Sequence, residues 1–95
     1  LIAIIDNNGF QATGIKQEVL PVNPYHLFYD WDFIEIDGHN FEQIETNIIT
    51  GNKPKAILAN TIKGKGVKEF EGKLEWHYRN IPTDIYNQAA TELCI

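Results

Sequence analysis

Short apolar segments that end in turn-forming or helix-capping residues dominate the first part of the chain. Positions 1–5 are all apolar and are followed at once by Asp-Asn-Asn-Gly at positions 6–9. An uninterrupted apolar run of this length is typical of a strand that is buried on both faces of a parallel sheet. We therefore predict a first, buried strand over residues 1–6.

Capping residues and apolar spacing predict three helices. Asn23 followed by Pro24 marks the start of the first helix, and Asn40 caps a second that runs to about residue 49, before Gly51. Thr83 begins the third helix. Each predicted helix has one apolar side at helical spacing. These sides consist of Tyr25, Leu27, Phe28 and Trp31 in the first helix, Phe41, Ile44, Ile48 and Ile49 in the second, and Ile85, Tyr86, Ala89 and Leu93 in the third.

Two further strands, over residues 33–38 and 55–62, complete the predicted architecture. Residues 7–24 carry no periodic pattern and are predicted as a long irregular loop, and residues 63–68 as a flexible basic loop. The elements then follow the order strand, loop, helix, strand, helix, strand, loop, helix. This alternation predicts the α/β class, with a parallel sheet and flanking helices.

Composition narrows the classes of function. A hydrophobic fraction of 43% can form a core, and a net charge of −5 without a basic block gives no sign of a nucleic-acid partner. No apolar run is long enough to cross a membrane, so no membrane partner is predicted. The single cysteine, Cys94, fits a reducing compartment, and we expect a cytoplasmic protein. Because the chain lacks Met and begins inside a strand, we expect a fragment without its upstream half.

Three polar groups could carry chemistry. Ligands bind at the carboxyl ends of strands in open parallel sheets, which is where Asn8 and the carbonyl of Phe10 could bind Mg²⁺ through oxygen. His77, which lies between two aromatic residues, could donate a hydrogen bond to a phosphate or a substrate oxygen. The loop at Gly64 is similar to a phosphate cradle but lacks the full P-loop spacing. Local sequence alone favours the plainer interpretations, which are an ordinary turn at Asn8, a surface loop at His77 and a mobile basic loop at Gly64.

Taken together, four segments resemble the later part of the thiamine-diphosphate-binding domain of the transketolase family. They occur in the family's order and spacing and cover nearly the whole chain. The segments are LIAIIDNNGFQATG at 1–14, DWDFIEIDGHNFEQIE at 30–45, KPKAILANTIKGKGV at 53–67 and EWHYRNIPTD at 75–84. The resemblance implies that residues 1–95 are a partial thiamine-diphosphate-binding domain that lacks its upstream half.

The resemblance also implies a function. Transketolases transfer a two-carbon ketol unit between sugars, often phosphorylated, with thiamine diphosphate and Mg²⁺. Asn8 and the Phe10 carbonyl would bind the metal, and Gly64 and His77 would lie beside the diphosphate, with His77 also acting as a catalytic residue at the reacting end of the substrate. The remaining groups would come from the other transketolase half or from a second protomer of a dimer. We therefore expect the isolated chain to be inactive.

Two alternatives remain open on the sequence. The chain could be part of a sister thiamine-diphosphate enzyme, such as a 2-oxo acid dehydrogenase or a deoxyxylulose-phosphate synthase, although the Trp76-His77 segment argues against this. It could also be a non-catalytic interaction domain, because the first half of the cofactor motif is missing.

Overall fold

The computed structural model describes residues 1–11, 14–19 and 23–95. The chain divides into two compact units, one of Leu1–Asn7 with Pro21–Thr61 and one of Asn8–Leu20 with Ile62–Ile95. In chain order, the elements are β1 (Ile2–Asn7), β2 (Phe10–Gln11), β3 (Gly14–Ile15), α1 (Lys16–Val19), α2 (Pro24–Leu27), β4 (Asp32–Asp37), α3 (Phe41–Asn47), β5 (Lys55–Asn60), a 3₁₀ helix (Leu74–His77) and α4 (Thr83–Glu92).

A parallel sheet of three strands, in the order β1-β5-β4, forms the first unit. In register, Ile4 and Ile34 lie on either side of Ile57, and Asn7 and Asp37 lie on either side of Asn60. The central strand β5 is therefore hydrogen-bonded on both sides, and its four inner residues, 56–59, are buried. The predicted α/β class with a parallel sheet and flanking helices is confirmed.

Helices pack on both faces of this sheet. The ring of Tyr25 on α2 lies 4.7 Å from that of Phe33 on β4, whereas Ile44 on α3 packs against Ile36 and Ile57. Successive side chains of a strand point to opposite faces, so Phe33 and Ile36 lie on different faces of β4. The two helices therefore cover opposite sides of the sheet.

The first strand is not buried on both faces, contrary to the prediction. Among the described residues β1 pairs with β5 alone, and the Ile4 side chain is 61% exposed. The physical reason is the position of α3, which covers β4 and β5 but leaves an apolar groove of about 150 Å³ next to β1. Its lining includes Ile4, Ile44 and Ile48. The doubly buried strand is β5 instead.

Both predicted asparagine caps are confirmed. The side-chain oxygen of Asn23 accepts the Tyr25 N–H at 3.0 Å, and that of Asn40 accepts the Gln43 N–H at 3.0 Å. Such caps satisfy backbone N–H groups that have no partner within the helix.

The predicted helix ends are wrong, because α2 stops at Leu27 and α3 at Asn47, short of Gly51. Trp31 therefore lies outside α2. Phe41, the first residue of α3, is 87% exposed, so the predicted apolar side of this helix does not pack on the sheet as a whole.

The second unit contains structure that the sequence patterns did not predict. Within residues 7–24, predicted as irregular, β2 and β3 form an antiparallel pair and α1 follows directly. Predictions for residues 12–13 and 20–22 lie outside the described residues. Helix α4 begins at Thr83 as predicted, and Ala89 is buried, but Tyr86 of its predicted apolar side is 58% exposed. No helix in the described ranges is long and apolar enough to span a membrane.

Candidate functional site

Asn8 and Phe10 lie in one tight turn that follows β1. The Oδ1 atom of Asn8 accepts a hydrogen bond from the Phe10 N–H at 2.9 Å. Gly9 between them has a φ of 83°, a left-handed conformation that glycine adopts without steric cost. The turn fixes the Asn8 amide relative to the Phe10 backbone, and an amide oxygen retains a second lone pair after accepting one hydrogen bond.

The β2–β3 ladder determines where the Phe10 carbonyl points. Lys16 N–H donates to the Gly9 carbonyl at 2.9 Å, so this pair is hydrogen-bonded across the hairpin. Hydrogen-bonded and non-hydrogen-bonded pairs alternate in an antiparallel ladder, so the next pair, Phe10 with Ile15, is non-hydrogen-bonded. The N–H and C=O of Phe10 therefore both face away from β3, on the side where its N–H meets Asn8. This places two oxygen donors in one turn.

His77 ends the 3₁₀ helix and contacts the loop that follows β5. Its Nδ1 atom lies 3.3 Å from the Nζ atom of Lys63. The neighbouring Trp76 donates its indole N–H to the Glu69 carbonyl at 3.0 Å and packs its ring 5.1 Å from that of Phe70. The loop and the 3₁₀ helix are therefore joined both by the imidazole contact and by the Trp76 side chain beside it.

Gly64 allows the loop to close on itself. Its φ is 76°, and a Cβ atom at this position would lie 2.6 Å from the Phe70 carbonyl oxygen. The Gly72 N–H donates to the Lys63 carbonyl at 2.9 Å, which closes the loop one residue earlier. Only a residue without a side chain fits this backbone approach.

We expect Gly64→Ala to destabilise the protein by about 2 kcal/mol or more, because the variant combines a left-handed conformation with a backbone clash. Gly51→Ala is the matched control, since nothing lies within 4 Å of an added Cβ there, and its effect should stay within about 0.5 kcal/mol. Urea denaturation measures the free energy of unfolding of both variants. Equal losses for Gly64→Ala and Gly51→Ala would contradict the argument.

The carboxyl edge of the parallel sheet carries a hydrogen-bonded network. Asn60 on β5 accepts from the Asn7 amide at 2.7 Å and donates its own amide N–H to Glu35 Oε1 at 2.7 Å. Glu35 also accepts the Tyr25 hydroxyl, and the Thr61 hydroxyl donates to Asp6. Side chains from all three strands are therefore tied together at the edge where β1 leads into the Asn8 turn.

Hydrogen bonding shifts two pKa values within this network. The pKa of Glu35 is lowered below 4.5, first because the Tyr25 hydroxyl stabilises the carboxylate and second because the Asn60 amide does so. The same hydrogen bond raises the pKa of Tyr25 above 10.0, with burial and the Glu35 charge adding to it. The network is therefore most stable with Glu35 ionised and Tyr25 protonated.

The lowered pKa of Glu35 predicts that the protein loses stability in acid. The contribution of Glu35 to stability is fully present above pH 4.5 and is lost as the pH falls through the lowered pKa. Glu35→Gln, which cannot ionise, should therefore lose less stability than the wild type between pH 5 and about pH 3. Thermal unfolding of the wild type and of Glu35→Gln across this range measures the difference. If the stability of the wild type and that of Glu35→Gln fell in parallel with pH, the prediction would be refuted.

The predicted site residues all lie in the second unit, namely Asn8, Phe10, Gly64 and His77. The structure brings Asn8 together with Phe10, and His77 together with Lys63, which follows β5 and precedes Gly64. Within the described ranges, no group of three or more His, Cys, Asp or Glu side chains could hold a metal ion.

Sequence patterns missed the contact between Lys63 and His77 and the network around Asn60. A signal for the network was present, because polar residues stand at the ends of both strands, Asp6 and Asn7 at the end of β1 and Asn60 and Thr61 at the end of β5.

Comparison with known proteins identifies the family. The chain is 37% identical over 100 residues to a 6-deoxy-6-sulfo-D-fructose transketolase subunit, SqwG, of Clostridium sp., and 34% identical over 101 residues to an apulose-4-phosphate transketolase subunit of Phocaeicola vulgatus. Each alignment covers 98% of this chain. A transketolase of Rattus norvegicus is 32% identical, again over 98% of the chain. The chain is therefore of the transketolase type.

This transketolase-type chain spans about a third (36%) of the length of the two bacterial subunits and 16% of the rat enzyme. No family model matches it. The resemblance to the transketolase family is confirmed, and the relatives named here favour it over the sister thiamine-diphosphate enzymes.

Proposed function

We propose that this chain supplies part of the cofactor site of a transketolase that depends on thiamine diphosphate and Mg²⁺. The enzyme would transfer a two-carbon ketol unit between sugars, often phosphorylated. Two of the relatives are named for such sugars, one carrying a sulfo group and one a phosphate. When bound, thiamine diphosphate supplies the electron sink for breaking and forming the carbon–carbon bond.

The turn at Asn8 is the observation that carries this proposal. Mg²⁺ prefers oxygen ligands, and Asn8 Oδ1 and the Phe10 carbonyl are oxygen donors held in one hydrogen-bonded turn. The donor set therefore fits a magnesium ion in its chemistry. In this proposal Asn8 and Phe10 would hold the metal, which would supply positive charge beside the diphosphate tail.

His77 and the Gly64 loop have the second role. The imidazole lies at the end of a 3₁₀ helix, with an exposed ring that can donate a hydrogen bond to a diphosphate oxygen or to the oxygen at the reacting end of the sugar. Gly64 permits close approach of its backbone to a bound group. His77 therefore acts as a catalytic residue that polarises and orients, and Gly64 shapes the cofactor-binding loop.

Further groups must complete this site. Mg²⁺ demands near-octahedral coordination, which two protein oxygens and a diphosphate do not fill without water or a further ligand. Two relatives are themselves named as subunits. We therefore assign this chain a partner, either the other transketolase half or a second protomer, that provides the remaining ligands.

Cofactor dependence tests the proposal. The assembled enzyme, that is, this chain together with the segments that complete the relatives' length, should lose ketol transfer after dialysis against a chelator and regain it when thiamine diphosphate and Mg²⁺ are both added. The isolated 95-residue chain should show no micromolar binding of the pair by calorimetry and no turnover. Ketol transfer that survives removal of both, or tight binding by the isolated chain, would reject the proposal.

A further inference from the structure

We infer that Lys63 is a positioning residue for His77. Its ammonium group donates to Nδ1 and so leaves the ring proton on Nε2, where it can be donated. The inference deepens the proposed function, because it rests on His77 as the residue that contacts the diphosphate or the sugar. In this inference the contact with Lys63 determines which imidazole nitrogen of His77 acts as the hydrogen-bond donor.

Donor chemistry fixes the direction of this contact. Lys63 Nζ lies 3.3 Å from His77 Nδ1. A lysine ammonium has three donors and no acceptor, so the nitrogen facing it must accept. A histidine that accepts at Nδ1 and is neutral carries its hydrogen on Nε2. The partner of one ring nitrogen thus determines the function of the other, as it does for metal-bound and catalytic histidines.

The loop holds Lys63 in place for this task. Its carbonyl accepts the Gly72 N–H at 2.9 Å, and the next residue, Gly64, packs against the Phe70 backbone. Lys63 also lines an apolar cavity of about 110 Å³ with Trp76 and Ile81. A lysine stem that packs on apolar surface keeps its charged end directed outward, here towards the imidazole.

Arg79, the other cationic residue near His77, contacts other groups. Arg79 donates to the Glu75 carboxylate at 2.6 Å and lies with its guanidinium 5.6 Å from the centre of the Trp76 ring. It therefore stacks on the 3₁₀ helix, and the imidazole contact that the structure shows belongs to Lys63. The two cations have separate roles.

Nitrogen-15 NMR of the histidine ring tests the inference. In the full 95-residue chain at about pH 8.5, where histidine is ordinarily neutral, the wild-type spectrum should show His77 protonated at Nε2, with Nδ1 accepting a hydrogen bond. Lys63→Met should move the Nδ1 signal towards the averaged position of a ring that exchanges between its two tautomers. Lys65→Met, in the same loop, should leave His77 unchanged, and His26 serves as an internal reference.

The outcomes separate this inference from the proposed function. A wild-type ring protonated at Nδ1, or identical His77 signals in wild type and Lys63→Met, would overturn the role of Lys63 whatever the cofactor does. A thermal midpoint of Lys63→Met within a few degrees of wild type, together with the shifted signal, would support a positioning role over a structural one. Cofactor-independent activity of the assembled enzyme would instead reject the proposed function and leave the Lys63–His77 contact standing.

Discussion

His77→Ala is expected to lower the turnover of the assembled enzyme by about a hundredfold or more, with little loss of stability. Groups that move or hold a proton at the reacting centre contribute about 10²- to 10⁴-fold to the rate. His77 is exposed, so the truncation leaves no cavity in the core. Steady-state ketol transfer at saturating cofactor measures the effect, and thermal unfolding of the same variant measures its stability.

Two further variants sharpen this prediction. His26→Ala, on α2 in the first unit, removes an exposed histidine and should retain wild-type turnover. His77→Gln keeps a hydrogen-bond donor of similar reach, so it should recover part of the lost rate if His77 acts by polarising an oxygen. Full activity of His77→Ala at unchanged stability would show that His77 has no role in the reaction.

Asn8→Ala is expected to weaken the retention of thiamine diphosphate and Mg²⁺ by at least tenfold. The variant removes one proposed metal ligand and the acceptor that holds the Phe10 N–H, and even residues that merely orient metal ligands contribute about 10- to 100-fold to affinity. Activity of the assembled enzyme at limiting cofactor should fall, and excess cofactor should restore part of it. Titration of the metal-depleted enzyme with Mg²⁺ gives the change in affinity.

Asn8→Asp separates loss of the ligand from loss of the turn. A carboxylate can bind Mg²⁺ and can accept the Phe10 N–H, so this variant should retain cofactor far better than Asn8→Ala. Asn52→Ala, in an exposed loop of the first unit, serves as the control for removing an asparagine amide. Unchanged activity of Asn8→Ala at limiting cofactor would remove Asn8 from the proposed metal site.

Local signals in the sequence predicted much of the fold. The caps Asn23 and Asn40 occur where they were predicted, because a capping side chain bonds to a backbone N–H two or three residues later. The three strands lie within a residue or two of the predicted ranges, since each is a short apolar run bounded by turn residues. Both features depend on neighbours within a few positions.

Features that depend on distant pairing were not predicted. The sequence does not say which apolar run becomes the central strand. The prediction that β1 is buried on both faces is therefore wrong, because Ile4 is exposed and β5 is the central strand. The bond between Asn7 and Asn60 joins residues that are 53 positions apart. The β2–β3 pair has two residues on each strand, too few for an alternating pattern to appear.

In the candidate site, too, local features were predicted and contacts between distant residues were not. Residue types and the family resemblance predicted Asn8, Phe10, Gly64 and His77, and their roles stay predictions until tested. Lys63 was not singled out as a partner of His77, because that contact requires the loop to close at Gly64 and Gly72. A sequence pattern indicates the groups that can react, whereas the backbone determines which of them meet.

The central place of β5 has a consequence for how the chain acquires its structure during synthesis. Strands β1 and β4 pair with β5 and, among the described residues, not with each other. Neither can form its ladder with β5 before residues 55–60 have been synthesised, so both pairings wait for the last of these three strands. Contacts between positions so far apart in the sequence form slowly, so β1 and β4 gain their shared neighbour late in the folding of this sheet.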